Sequence, residues 1–163
     1  MVVAAPKPVQ ILEWLAEIPD PEIPVLSITD LGIVRDVNCD SGVVVALSPT
    51  YTGCPATDVI EASVIAALQE RGITDVSVKR VLSPPWTTDW ISDAGRDRLR
   101  RYGIAPPERG ASKRALLHGQ HSVICPRCES ENTELISEFG STACKASFRC
   151  SACLEPFEYF KCL

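Results

Sequence analysis

The chain has 163 residues, 45% hydrophobic and 23% charged, enough for one ordinary domain or two small ones and too apolar for wholesale disorder. Its formal charge of -5 argues against a general nucleic-acid binder, and without a run of ~18 apolar residues nothing is expected to span a membrane. Met1-Val2-Val3-Ala4-Ala5 is stopped by Pro6, too short for the apolar core of a signal peptide, so a cytoplasmic protein is expected.

The first predicted element is a helix over residues 8–18, with Pro8 in its first turn and Ile11, Leu15 and Ile18 at helical spacing. Asp20-Pro21-Glu22-Ile23-Pro24 then forces an extended loop. Residues 33–37 and 43–47 read as strands joined at Asp40-Ser41-Gly42, the second apolar on both faces and therefore central. A helix from Pro55 to about Arg71 follows, with Val59, Ile60, Val64, Ala67 and Leu68 as its buried stripe and Gly72 as its stop. Val76, Val78 and Val81 suggest a third strand, and residues 93–102 a surface helix. The order α-β-β-α-β-α predicts an α+β fold, a small α/β sandwich over 1–104. Pro106-Pro107-Glu108-Arg109-Gly110 opens a predicted linker, 105–122. Charge follows the division: residues 1–92 hold five basic and twelve acidic side chains, residues 93–114 seven and three, and residues 115–163 four and six.

Of eight cysteines, six lie between Cys125 and the C-terminus, and without an export signal such crowding reads as metal binding before disulfides. Cys125-Pro126-Arg127-Cys128 and Cys150-Ser151-Ala152-Cys153 are two C-x2-C hooks separated by 21 residues. Each presents two thiolates from one tight turn, and together they complete a tetrahedron for zinc. With alternating segments at 133–139 and 143–149 and a further strand at 157–160, residues 123–163 predict a β zinc ribbon, stapled by metal because its core is too small. Rubredoxin-like iron uses the same ligands. A thioredoxin-like fold does not fit the short chain that follows. Cys144 and Cys162 are left as packing residues or a second thiol site, Cys39 beside a turn is expected to be inert, and His118 and His121 fall in the linker.

Cys54 is the other chemical signal. It lies in Thr52-Gly53-Cys54-Pro55, where Pro55 would take the first helical position and Cys54 the cap. Unsatisfied backbone N–H groups and the helix dipole there favour thiolate. Such a thiolate could bind a soft metal, accept an iron–sulfur fragment or attack an electrophile; the alternative is a small buried cap residue. A phosphatase-type Cys-x5-Arg loop is excluded by Ile60, and no histidine precedes His118 to act as a local base. Asp20, Glu22 and Asp30 could supply hard oxygen ligands beside the thiolate or simply shape their loops.

Asp20-Pro21-Glu22-Ile23-Pro24-Val25, with Ser27 through Val34, resembles the opening signature of the iron–sulfur assembly family of SufT-type proteins and eukaryotic cytosolic cluster-targeting factors. Thr52-Gly53-Cys54-Pro55 resembles its cysteine loop, and Pro84-Pro85-Trp86-Thr87-Thr88-Asp89-Trp90-Ile91-Ser92 its closing motif. Phe139-Gly140-Ser141-Thr142-Ala143-Cys144-Lys145 and the tail from Glu155 to Cys162 are similar to the D-protein family of bacterial phenylacetate degradation. The resemblance implies an accessory role beside phenylacetyl-CoA epoxidase, a di-iron oxygenase with a flavin and iron–sulfur reductase. It implies maturation by metal or cluster insertion rather than epoxidation itself. It favours Cys54, with Thr52, Asp20, Glu22 and Asp30, as a transient iron or iron–sulfur site. It names the oxygenase or reductase subunits as partners, and an exposed sheet edge would permit a homodimer. A nucleic-acid-binding ribbon would need basic strands that residues 115–163 lack. A thiol oxidoreductase built on Cys144 and Cys162 is a third class.

Overall fold

The structure, a computed structural model, describes residues 6–110 and 123–161. Two compact units divide at Trp86 and Thr87.

In residues 1–86, helix α1 (Pro8–Leu15) buries Ile11 and Leu15, four residues apart and so on one face. It ends earlier than the predicted 18 because Ile18 precedes Pro19, whose ring disfavours helical backbone at the residue before it. Strand β1 (Val34–Asn38) runs antiparallel to β2 (Val43–Leu47), and β2 runs parallel to β3 (Val76–Arg80). β2 is central, as predicted. It buries Val43, Val45 and Leu47 fully and Val44 and Ala46 partly. At the β1–β2 turn, Gly42 has φ +88°, and a Cβ there would lie 2.5 Å from Asp75 Oδ2, so a side chain would be strained and would displace the Asp75 carboxylate. Helix α2 (Ala56–Glu70) makes the β2–β3 crossover and buries Ala56, Thr57, Ile60, Val64 and Leu68. Val59 was expected in that stripe but is 52% exposed. The stripe runs through 56, 60, 64 and 68, which turns residue 59 away by about 100°.

In residues 87–163, helix α3 (Asp93–Tyr102) is closed at both ends. The Ser92 hydroxyl accepts the Gly95 N–H at 2.9 Å, and Gly103 takes left-handed backbone at φ +94°. Strand β4 (Ile104–Ala105) follows at once and pairs parallel with β7 (Pro156–Phe160). β7 pairs antiparallel with β6 (Lys145–Cys150), and β6 with β5 (Thr133–Ser137). The division therefore differs from the expected module boundaries of 104 and 123. Residues 87–110 belong with the ribbon because buried Ile104 and Ala105 pair with Glu158 and Tyr159. The expected linker, 105–122, begins as this strand and an ordered turn. Its remainder, 111–122, lies outside the described residues together with His118, His121 and Cys162.

The core here is small. Ala105, Val123, Ala146, Phe148, Phe157 and Tyr159 pack with the thiols Cys125 and Cys150. Phe148 stacks on Phe157 at 5.9 Å between centroids and meets Tyr159 edge-on at 5.8 Å.

Candidate functional site

The two cysteine hooks have the same local geometry. The first cysteine N–H of each donates to the carbonyl five residues on, Cys125 to Ser130 at 3.0 Å and Cys150 to Glu155 at 2.9 Å. The residue after each second cysteine takes left-handed backbone, Glu129 at φ +60° and Leu154 at φ +65°. Neither is glycine, so each hook holds a conformation that side chains rarely adopt. The result converges four sulfurs: all lie within 4.8 Å of one another, with Cys125 and Cys153 3.8 Å apart and Cys128 and Cys150 3.5 Å apart. Tetrahedral zinc with bonds of about 2.3 Å would set sulfurs about 3.8 Å apart, so the donor set fits.

Electrostatics point the same way. The Cys153 N–H, 3.5 Å from Cys150 Sγ, is the largest influence bringing the Cys150 thiol down to about 6. At Cys128 the Ser130 backbone acts to lower the thiol, but hydrogen bonds with Cys150, Cys153 and Cys125 and desolvation push it up to about 12. Four sulfurs this close do not all ionise by themselves; a bound divalent cation would supply the missing charge. Arg127 and Glu155 add an exposed ion pair between the hooks at 3.4 Å.

Cys54 lies at the other chemical centre, between β2 and α2. The Cys54 N–H donates to the Tyr51 carbonyl at 3.3 Å, closing a turn in which Gly53 has φ +85°. A type II turn requires such a residue at that position. The Thr57 N–H then donates to the Cys54 carbonyl at 3.2 Å. Pro55 occupies the cap position and Ala56 begins the helix, one residue later than predicted. No side chain caps α2, so the positive end of its dipole is left beside the half-buried Cys54. Thr52 is exposed on the same turn. Asp58 and Glu61 of α2 both pair with Arg80 of β3, fixing the helix on the sheet.

The acidic residues do local work. Buried Asp20 accepts the Glu22 and Ile23 N–H groups on Oδ1 at 2.9 and 2.8 Å, which orders the Pro-rich loop. Asp30 Oδ2 accepts the Ser27 N–H at 3.3 Å, and the Ser27 hydroxyl accepts the Asp30 N–H at 3.0 Å. Glu22 is half-buried. Among the described residues, the ribbon cysteines form the metal-sized cluster; Asp20, Glu22, Asp30 and Cys54 do not converge on one ion.

Other residues of the quoted motifs have structural roles that their spacing does not show. Trp86 Nε1 donates to the Leu31 carbonyl at 2.8 Å, tying the closing motif to the Asp30-Leu31-Gly32 turn. Glu158 of β7 accepts the N–H of Ser141 in the β5–β6 loop at 2.6 Å and pairs with buried Lys145 at 3.1 Å. A Cβ on Gly140 would lie 2.5 Å from Glu158 Oε1. Cys144 is buried with its sulfur 3.1 Å from the Thr142 hydroxyl. Cys39 is half-buried, its thiol pushed up by burial and by Asp40.

Residues 109–161 match the PaaD zinc beta ribbon domain, and residues 8–80 match the iron–sulfur cluster assembly protein family. A protein of Escherichia coli (strain K12), provisionally named as a component of 1,2-phenylacetyl-CoA epoxidase, is 51% identical over 162 residues, covering 99% of this chain and 96% of its own. The chain belongs to the PaaD family. An "Fe-S protein maturation auxiliary factor" of Porphyromonas gingivalis (strain ATCC BAA-308 / W83) is 34% identical over 86 residues, 51% of this chain and 81% of its own. A crystal structure of a domain of unknown function, DUF59, from Bacillus anthracis superposes with a TM-score of 0.53 at 27% identity, covering 56% of this chain and 89% of that one. The PaaD ribbon and its four-cysteine cluster fit zinc binding. A 3-10 turn (Thr88–Trp90), α3 and β4 all fall between the two family matches. No described helix is long and apolar enough to cross a membrane.

Proposed function

We propose that this protein is an accessory maturation subunit of a phenylacetyl-CoA epoxidase. It takes up iron or an iron–sulfur cluster transiently at Cys54 and delivers it to the oxygenase or the reductase. The observation that carries this reading is the joining, in one chain, of an iron–sulfur assembly match over 8–80 with near-full-length similarity to a relative named as an epoxidase component. The cysteine turn supports it: a half-buried thiol beside an uncapped helix end can lose its proton on binding iron and surrender the iron to a client thiolate.

Thr52, exposed on the same turn, would contact the cargo, while Asp20 and Asp30 hold the loops in shape and Glu22 offers a further carboxylate. Zinc held by Cys125, Cys128, Cys150 and Cys153 would keep the ribbon folded as a docking platform. The site of work would be the cytoplasm. A second copy would pair through β5, an edge strand with residues 134–138 exposed.

Co-production of the epoxidase components with wild type or Cys54→Ser tests the reading. The expected result is lower iron in the oxygenase, or lower iron and sulfide in the reductase, with the variant's zinc content unchanged. Equal loading of both clients would refute it.

A further inference from the structure

β2 is apolar on both faces, yet its two faces are not equally covered. Val43, Val45 and Leu47 point to the helical side and are buried. Arg80, in register with Leu47, pairs from that side with Asp58 and Glu61 of α2. Val44 and Ala46 point to the other side. Cross-strand partners share a face, so the register completes this second face in two rows. One row is Asp36, Ala46 and Lys79, and the other is Asn38, Val44 and Ser77. Val44 and Ala46 are half-buried, and the four residues flanking them are all exposed. A strand face left to water is expected to be polar; this one keeps an apolar centre.

The charges on it are ordered. Asp36 lies on one edge strand and Lys79 on the other, with β2 between them, and neither forms an ion pair among the described residues. A two-fold axis parallel to β2, midway between two stacked copies, carries each residue across β2 to the opposite edge at the same height. Asp36 then meets Lys79 of the second copy, and Lys79 meets its Asp36. Val44 and Ala46 face their own equivalents, and Asn38 faces Ser77. The face is therefore its own complement, as an isologous contact requires. Stacked sheets lie about 10 Å apart, a gap that a lysine and an aspartate close together, the lysine stems lying over Ala46. A two-fold axis across the strands would instead set β1 on β1 and lose both ion pairs.

We propose that this face is where a second copy of the chain stacks, sheet on sheet, through two Asp36–Lys79 pairs around Val44 and Ala46. The contact lies within residues 1–86 and involves neither Cys54 nor β5. It therefore stands or falls apart from the maturation role and from pairing along β5.

Three strands of five residues each make a small interface, so a weak dimer is expected, with a Kd of about 10 to 500 µM, weakened by salt. Sedimentation of the zinc-loaded full chain at low salt reads it. Lys79→Glu, and separately Asp36→Lys, sets like charges against each other and is expected to weaken self-association by about tenfold or more. Mixing the two variants restores opposite charges at both pairs and is expected to recover the wild-type affinity, which also shows that neither variant is misfolded. Any of three results would overturn the proposal. The first is no self-association up to about 1 mM, which would leave this face to a different protein. The second is a dimer unchanged by Lys79→Glu, the outcome of pairing along β5 alone. The third is two single variants that fail to associate when mixed.

Discussion

Residues 1–86 carry six more acidic than basic side chains. They bury Ile11, Leu15, Val45, Leu47, Val64 and Leu68 almost completely. Residues 87–163 carry one more basic than acidic side chain, and their core includes two thiols of the metal cluster. The first unit can be held by apolar packing. The second packs Phe148, Phe157 and Tyr159 around two of its thiols, and a cation held by its four sulfurs would staple the ribbon. Stability and chemistry are thus divided differently in the two halves. On the proposed reading the ribbon devotes four cysteines to holding its fold, whereas Cys54 in the first unit is kept for exchange.

Removing zinc should break this comparison most forcefully. Chelation, or Cys150→Ser, is expected to abolish amide protection across β5, β6 and β7 while β1, β2 and β3 remain protected, since a structural zinc contributes on the order of 10 kcal/mol. Retained protection in the ribbon would show that metal is not its staple. Next in size is Leu68→Ala. The fully buried side chain should cost about 2–5 kcal/mol, lowering the urea midpoint of the first unit with zinc content unchanged. Trp86→Phe leaves the Leu31 carbonyl without its indole partner and should cost about 1–3 kcal/mol by the same measurement.

The smallest expected effect is in acid. Desolvation alone would raise the Glu158 carboxyl, but the Ser141 backbone and hydroxyl and the Lys145 ammonium outweigh it and hold the group below 4.5. A carboxyl lowered in the folded state contributes stability above its unfolded value and loses it as pH falls through the folded one. Wild type should therefore lose an advantage over Glu158→Gln as pH drops below 4.5. Comparing the two at equal free zinc removes the separate effect of acid on the thiolates. Parallel acid limbs would remove Glu158 from the account.

The hooks were legible in the sequence because ligand spacing in a tight turn is a local property, and the central strand because five apolar residues in succession are. The unit boundary was not. The helix over 93–102 is where the sequence predicts it, but its spacing says nothing of which sheet it joins. That is decided by β4, two residues long and too short to show a period. Arg96 was hidden for a related reason. In a run of arginines it looks like solvated surface, and only the carbonyls of Thr88 and Pro107, brought close by the fold, make burial possible. The acidic loop shows the reverse: residue type leaves Asp20 and Asp30 open between hard ligands and loop-shaping groups, and in the structure their oxygens accept backbone N–H groups.

The most direct test of the division of labour is the metal content of wild type and Cys54→Ser after anaerobic reconstitution with iron and sulfide. One zinc in each protein, with iron and sulfide bound by wild type and lost from Cys54→Ser, is the predicted result. Equal iron and sulfide in the two proteins would contradict it.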